Sequence, residues 1–218
     1  MNSDYVLPRQ PKVSDNYNDL IDSYKTLHEE KSKFQGISLV PLVPIIHGLI
    51  IENKCKTLLD YGCGKAYPYS DKCRSLQLVK PVQEIWNLDS YSLYDPAYPK
   101  YDKLPTGKYD IVICTDVLEH IHEEDLDWTI HQILSYSKDI VFINVSCQKA
   151  AKSFKSGKFK GKNVHISIFE DKWWAKKIGK IWSNFKDLKI YLICTTAEDT
   201  TALCIKKENK NGTNNATT

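Results

Sequence analysis

The chain has 218 residues, 42% of them apolar and 26% charged, which is ordinary for a globular domain with one substantial core. Its net charge of +3 is too small to argue by itself for nucleic acid, and no apolar run reaches the ~20 residues that a bilayer requires, so neither a nucleic-acid nor a membrane partner is favoured. Seven cysteines at irregular spacing, without Cys-x-x-Cys, suit free thiols in a reducing compartment better than a disulfide framework or a zinc site.

Residues 1–16 are polar, with neither a signal-peptide nor a transit-peptide pattern. They are expected to be flexible, as is the polar tail 207–218, and a cytoplasmic location is expected. The span 17–206 reads as a single domain, opening with a helical cap over 17–52. Leu20, Tyr24 and Leu27 recur at helical spacing from Tyr17 to about Lys33, and Phe34-Gln-Gly36 ends that helix. Pro44 opens another, with Ile45, Ile46, Leu49 and Ile50 inward.

Strands and helices then alternate. Lys56–Asp60 is a strand, Lys65–Leu78 a helix and Ser90–Asp95 a short strand. Tyr109–Thr115 is a continuous apolar strand. Glu123–Ser137 is a helix with Leu126, Ile130, Ile133 and Leu134 on one side, and Asp139–Val145 is the next buried strand. Val164–Phe169 leads into an amphipathic helix from Glu170, where Trp174, Ile178, Ile181 and Phe185 keep helical spacing. Leu188–Thr195 and Thr201–Lys206 are strands whose link is too short for a parallel crossover, so this pair is antiparallel. The class is α/β, with a mostly parallel sheet between helices and a ligand expected beyond the carboxyl ends of the strands. Cys63, Cys114, Cys147, Cys194 and Cys204 lie in or beside apolar runs, as buried thiols do.

The stretch Thr57–Ala66 carries the most chemistry. An apolar run ends in Asp60, and Gly62 and Gly64 follow at alternate positions. A buried strand turns sharply this way, with its backbone left open to a ligand. The turn alone is shared with dinucleotide enzymes.

Asp60-x-Gly62-x-Gly64 after a first strand resembles the first motif of class I S-adenosylmethionine-dependent methyltransferases. Tyr109–Ile121, with Leu118-Glu119-His120, resembles the fourth-strand motif of their small-molecule branch. The terminal hairpin also matches that fold, which is Rossmann-like and doubly wound, with a sheet of the seven-stranded type. Ala66 stands where a third glycine is usual. The interval between Asp95 and Asp110 is too short for the family's usual helix and third strand, so 96–108 is expected as a loop.

The resemblance implies S-adenosylmethionine as cofactor. Asp60 would accept from its amino group or a bridging water, and Gly62 and Gly64 would let the chain pass under it. An acid ending the second strand would take the ribose hydroxyls. Asp95 is preferred because Tyr91–Tyr94 reads better as a strand, with Asp89 as the competitor on spacing. Thr115 and Asp116 would line the other side. Asp95-Pro-Ala-Tyr98 looks like the Asp-Pro-Pro-Tyr signature of amino-group methyltransferases but precedes the strand that should carry it.

His120 and His165 are the candidate bases for an acceptor hydroxyl. A second reading joins Asp116, Glu119, His120 and His165. A similar acid-x-x-Glu-His…His pattern binds a divalent cation in small-RNA 2′-O-methyltransferases, so these four are candidate ligands for Mg²⁺, Mn²⁺ or Zn²⁺. Residues 148–162 carry six lysines with Phe154 and Phe159 interleaved, either a lid over an anionic acceptor or a solvated loop. The expected acceptor is a small-molecule or saccharide hydroxyl. RNA methylation, a nicotinamide-dependent oxidoreductase and a non-catalytic cofactor-binding module are the alternatives.

Overall fold

The computed structural model describes residues 13–185 and 187–206. Most of 1–16 and all of 207–218, the segments expected to be flexible, lie outside the described residues. Six strands, β1 (Thr57–Tyr61), β2 (Ser90–Tyr94), β3 (Tyr109–Thr115), β4 (Ser137–Ser146), β5 (Lys189–Thr195) and β6 (Thr200–Ile205), form one sheet. Its order is β2-β1-β3-β4-β5-β6, parallel throughout except for the antiparallel β5–β6 pair. The expected α/β class and closing hairpin are therefore present. The loop 96–108 holds no strand or helix, and β3 pairs directly with β1.

Strand alternation divides the apolar residues between two layers. Leu58, Ile111, Ile113 and Phe142 face α2 (Val43–Glu52) and the single turn α3 (Val82–Ile85). Leu59, Val112, Val141 and Ile143 face α4 (Glu123–Ser135) and α5 (Asp171–Trp182). Helices on both faces explain why β3 and β4 read as unbroken apolar runs rather than alternating ones. A third cluster lies above the carboxyl edge of the sheet. There α1 (Asn16–His28) packs Leu20, Tyr24 and Leu27 against Phe154, Phe159 and Val164. Among the described residues no helix is long and apolar enough to cross a membrane.

Several local expectations need correction. The helix expected over Lys65–Leu78 is two 3₁₀ turns, Tyr67–Tyr69 and Asp71–Leu76. Ala66 is left-handed (φ 52°), Pro68 brings no N–H, and Ser70 is extended with its hydroxyl capping the Lys72 N–H, so no α-ladder can run through. The first helix stops at His28, not near Lys33, because the chain beyond it is drawn to the glycine turn: Lys65 and Tyr67 donate N–H bonds to the carbonyls of Phe34 and Gln35 (2.6 and 3.1 Å). Helix α4 ends at Ser135, and β4 starts at Ser137 rather than Asp139. Ile45 is exposed, while Val43, Ile46, Leu49 and Ile50 turn inward. All seven cysteines are free, but Cys204 is exposed on the outer strand β6 and Cys147 is only partly buried; Cys55 and Cys73 are buried with the rest.

Candidate active site at the carboxyl ends of β1, β2 and β3

From β1 the chain passes to β2 on one side and then to β3 on the other. Loops leaving such a reversal point diverge, and a crevice opens between them. A cleft of about 800 Å³, counting its open mouth, lies there. Its floor holds Asp60, Asp95, Thr115 and Asp116 at the ends of the three strands, and its roof holds Tyr24 and His28 of α1 with Phe34 and Ser38. Asp60, Gly62, Gly64, Asp95, Thr115, Asp116 and His120 all line this cleft, whereas Glu119 and His165 do not. Asp89 precedes β2 and bonds to Lys56 ahead of β1, at the opposite edge of the sheet.

The glycine turn works differently from the expectation. Gly62 and Gly64 have positive φ (88° and 58°), as only glycine readily allows. A Cβ on Gly62 would strike Val117, and one on Gly64 would strike the Phe34 carbonyl. The space a side chain would fill is taken by protein. The turn's backbone donors are also spent. Gly62 and Cys63 donate to the Tyr94 carbonyl, Gly64 to Asp95 Oδ2, Lys65 to Phe34, Ala66 to Cys63 and Tyr67 to Gln35. No amide from Gly62 to Tyr67 is left for an anion, and no α-helix follows to lend its N-terminus.

Three carboxyls give the cleft its electrostatic character. Asp60 is 3% exposed, and burial raises its pKa to about 7 against the favourable pull of the Tyr69 hydroxyl. Burial also raises Asp95, to about 6, although its oxygens accept N–H bonds from Gly64 and Ala97 (both 2.9 Å). Burial pushes Asp116 up too, but His120, the Ser38 hydroxyl (2.8 Å) and further neighbours hold it below the usual carboxylate range. His28 lies between the stacked rings of Phe34 (4.5 Å) and Tyr98 (5.3 Å). Its Nε2 is 3.9 Å from Asp95, too long for a hydrogen bond. Burial, with Lys65, lowers its pKa to about 4, so it is neutral at pH 7.

His120 follows β3 on a 3₁₀ turn, Leu118–His120. Burial lowers its pKa to about 4, so its ring is also neutral at pH 7. Its Nδ1 is 3.0 Å from the Val164 carbonyl and 2.9 Å from the Tyr24 hydroxyl. His165 packs edge-on to it, ring centroids 4.8 Å apart. Glu119 has a different task from the ligand role the sequence offered it. Wholly buried, its Oε1 accepts the Ser146 N–H at the end of β4 (2.6 Å). Its carbonyl accepts from Ile166 and Ser167 (2.8 and 2.9 Å) and so lays the segment carrying His165 beside His120.

The lysine-rich segment lies on α1. Phe154 and Phe159 are buried against that helix. Lys155 pairs with Glu30 (2.9 Å), and Lys158 with Asp19 and Asn16 (2.8 and 2.7 Å). Tyr69, Ser38 and His28 were not singled out by sequence. Of the three, His28 carried a signal, since it falls one helical turn after Tyr24 on the buried face.

A family model described as a methyltransferase domain matches residues 22–179. Neither a curated protein nor a solved structure matches the chain. The matched span takes in the second half of α1, the glycine turn, all three strand ends of the cleft and the histidine pair. The chain belongs to the methyltransferase domain family.

Proposed function

We propose that the protein transfers a methyl group from S-adenosylmethionine to a hydroxyl of a small molecule or saccharide. One observation supports this most: three carboxyls end adjacent strands around the cleft, while every backbone amide of the glycine turn is already bonded within the protein. A dinucleotide would need amides and a helix N-terminus for its pyrophosphate. A cationic ligand with a ribose needs carboxylates instead. That speaks for S-adenosylmethionine, the usual methyl donor of such domains, and against a nicotinamide cofactor.

The residues present fit that donor. Asp60 Oδ1 and His28 Nδ1 are buried polar atoms of the lining without a hydrogen-bond partner, positions at which a ligand's polar groups would be satisfied. Asp60 would take the cationic methionine end, and Asp95 the ribose hydroxyls. Leu39, Val117, Pro96 and Ile21 supply apolar wall. When bound, S-adenosylmethionine supplies a methyl group on a positively charged sulfur. The chain's own residues position the acceptor, close the cleft with α1 and receive the acceptor's proton. For that last task, in a chain that holds no cation, the imidazoles of His120 and His165 are the candidates. Free thiols throughout suit a reducing compartment such as the cytoplasm.

Incubation of the purified chain with methyl-labelled S-adenosylmethionine and a fractionated cell extract tests this. Label is expected in the small-molecule or glycan fraction. Label in RNA alone would replace the acceptor class, and no label in any fraction would leave a non-catalytic binding module.

A further inference from the structure

Asp116, His120 and His165 each present one ligand atom, and these atoms lie within 4.8 Å of one another. Atoms sharing one ion at ~2.1 Å stand at most about 4.2 Å apart, so small side-chain rotations close the gap. The protonation pattern is what makes this group more than a cluster. A backbone carbonyl only accepts. His165 Nδ1, 2.6 Å from the Gln148 carbonyl, therefore carries its proton and leaves Nε2 with a free lone pair. The Tyr24 hydroxyl donates to the Val164 carbonyl (2.6 Å), which lets His120 Nδ1–H donate to that carbonyl and to Tyr24 Oη and likewise frees Nε2. Both rings are thus fixed in the tautomer that metal-bound imidazoles adopt, each held by a backbone carbonyl, and Ser38 orients the Asp116 carboxylate (2.8 Å).

We propose that Asp116, His120 and His165 hold one divalent first-row cation, such as Mn²⁺, Co²⁺ or Zn²⁺, with positions left open on the cleft side for an acceptor hydroxyl. Two imidazoles and one carboxylate favour these borderline ions over Mg²⁺, which prefers oxygen ligands. Glu119 is not a ligand in this set; it holds the scaffold. Three protein ligands leave room for substrate, as in catalytic rather than structural sites. A cation there lowers the pKa of a hydroxyl oxygen that ligates it. The O–H bond breaks, the electron pair stays on oxygen and the proton leaves to solvent. An imidazole nitrogen bound to a cation cannot also take that proton, so the two histidines act as ligands and not as bases. This role for the acceptor rests on the methyl-transfer reading; the cation site itself does not.

The test is titration of the chelator-treated full chain with Co²⁺, Mn²⁺, Zn²⁺ and Mg²⁺, beside Asp116→Asn and His165→Ala. Asn accepts the left-handed backbone at residue 116 (φ 60°), and His165 is only partly buried, so both variants are chosen to keep the fold. One Co²⁺ per chain is expected, with weak visible bands and no intense thiolate band. Each variant should lose at least about tenfold in affinity, and Mg²⁺ should compete only in large excess. A wild-type chain that binds none of the first-row ions, or variants that bind them as well as the wild type, would overturn the proposal. S-adenosylhomocysteine titrated into the same samples separates the two claims: its binding to a chain that takes no cation would overturn the cation site and leave methyl transfer standing.

Discussion

At the scale of single residues, Asp60 is the group whose environment says most about its ligand. Burial lifts its pKa from 3.8 to about 7, so the folded protein favours the protonated acid. The unfolded chain releases that proton near pH 4. At this group, between about pH 4 and 7, the folded state therefore holds more proton than the unfolded one, and Asp60 contributes a fall in stability as pH rises through this window. Asp95, raised to about 6, adds to the same slope. His28 and His120, lowered to about 4, contribute the opposite slope over much of the same window, so Asp60 is read by difference. Asp60→Asn should shift the pH slope of the melting temperature between pH 4.5 and 7.5 in the ligand-free protein toward rising values, Asp60 being the source of a downward contribution. An unchanged slope in that variant would show that Asp60 is not the source. A cationic ligand reverses the preference by favouring the carboxylate. Asp60, Gly62 and Gly64 were legible in sequence because a strand end and a positive-φ turn are local chemistry. The sequence could not reveal that the turn's amides are all consumed, since their partners, Tyr94, Asp95, Phe34 and Gln35, arrive from other segments.

At the scale of elements, the roof of the cleft is α1 locked to the segment 148–162. Two kinds of contact hold it, and their magnitudes differ. The ion pairs of Lys155 and Lys158 are exposed, and exposed pairs contribute little. The burial of Phe154 at 2% exposure, edge-on to Tyr24, is the stronger tie. Phe154→Ala should cost about 3–5 kcal/mol and speed amide exchange in α1. Lys158→Ala should leave the melting temperature within about 2 °C. Equal effects from the two variants would refute this ordering. The lysine run read in isolation as an anion grip because the acids that answer it, Asp19 and Glu30, lie more than a hundred residues away in the chain. The helix expected over Lys65–Leu78 failed for the opposite reason: apolar spacing suggested it, and the backbone demands of Ala66, Pro68 and Ser70 overrode it.

At the scale of the whole molecule, the alternating pattern made the sheet legible. Continuous apolar runs marked the strands buried on both faces, and the short link after Thr195 forced the last pair to be antiparallel. Parallel order places every β1–β3 carboxyl end on one edge, which is why residues distant in sequence, Asp60, Asp95 and Asp116, meet in one cleft. The acceptor is not legible in the same way, because it is chosen by loops and roof rather than by the sheet. Calorimetric titration of the full chain with S-adenosylhomocysteine and, separately, with NAD distinguishes a cleft for a sulfonium nucleoside from one for a dinucleotide. One S-adenosylhomocysteine bound per chain is expected, with no heat from NAD. Binding of NAD by a chain that does not bind S-adenosylhomocysteine would contradict that expectation.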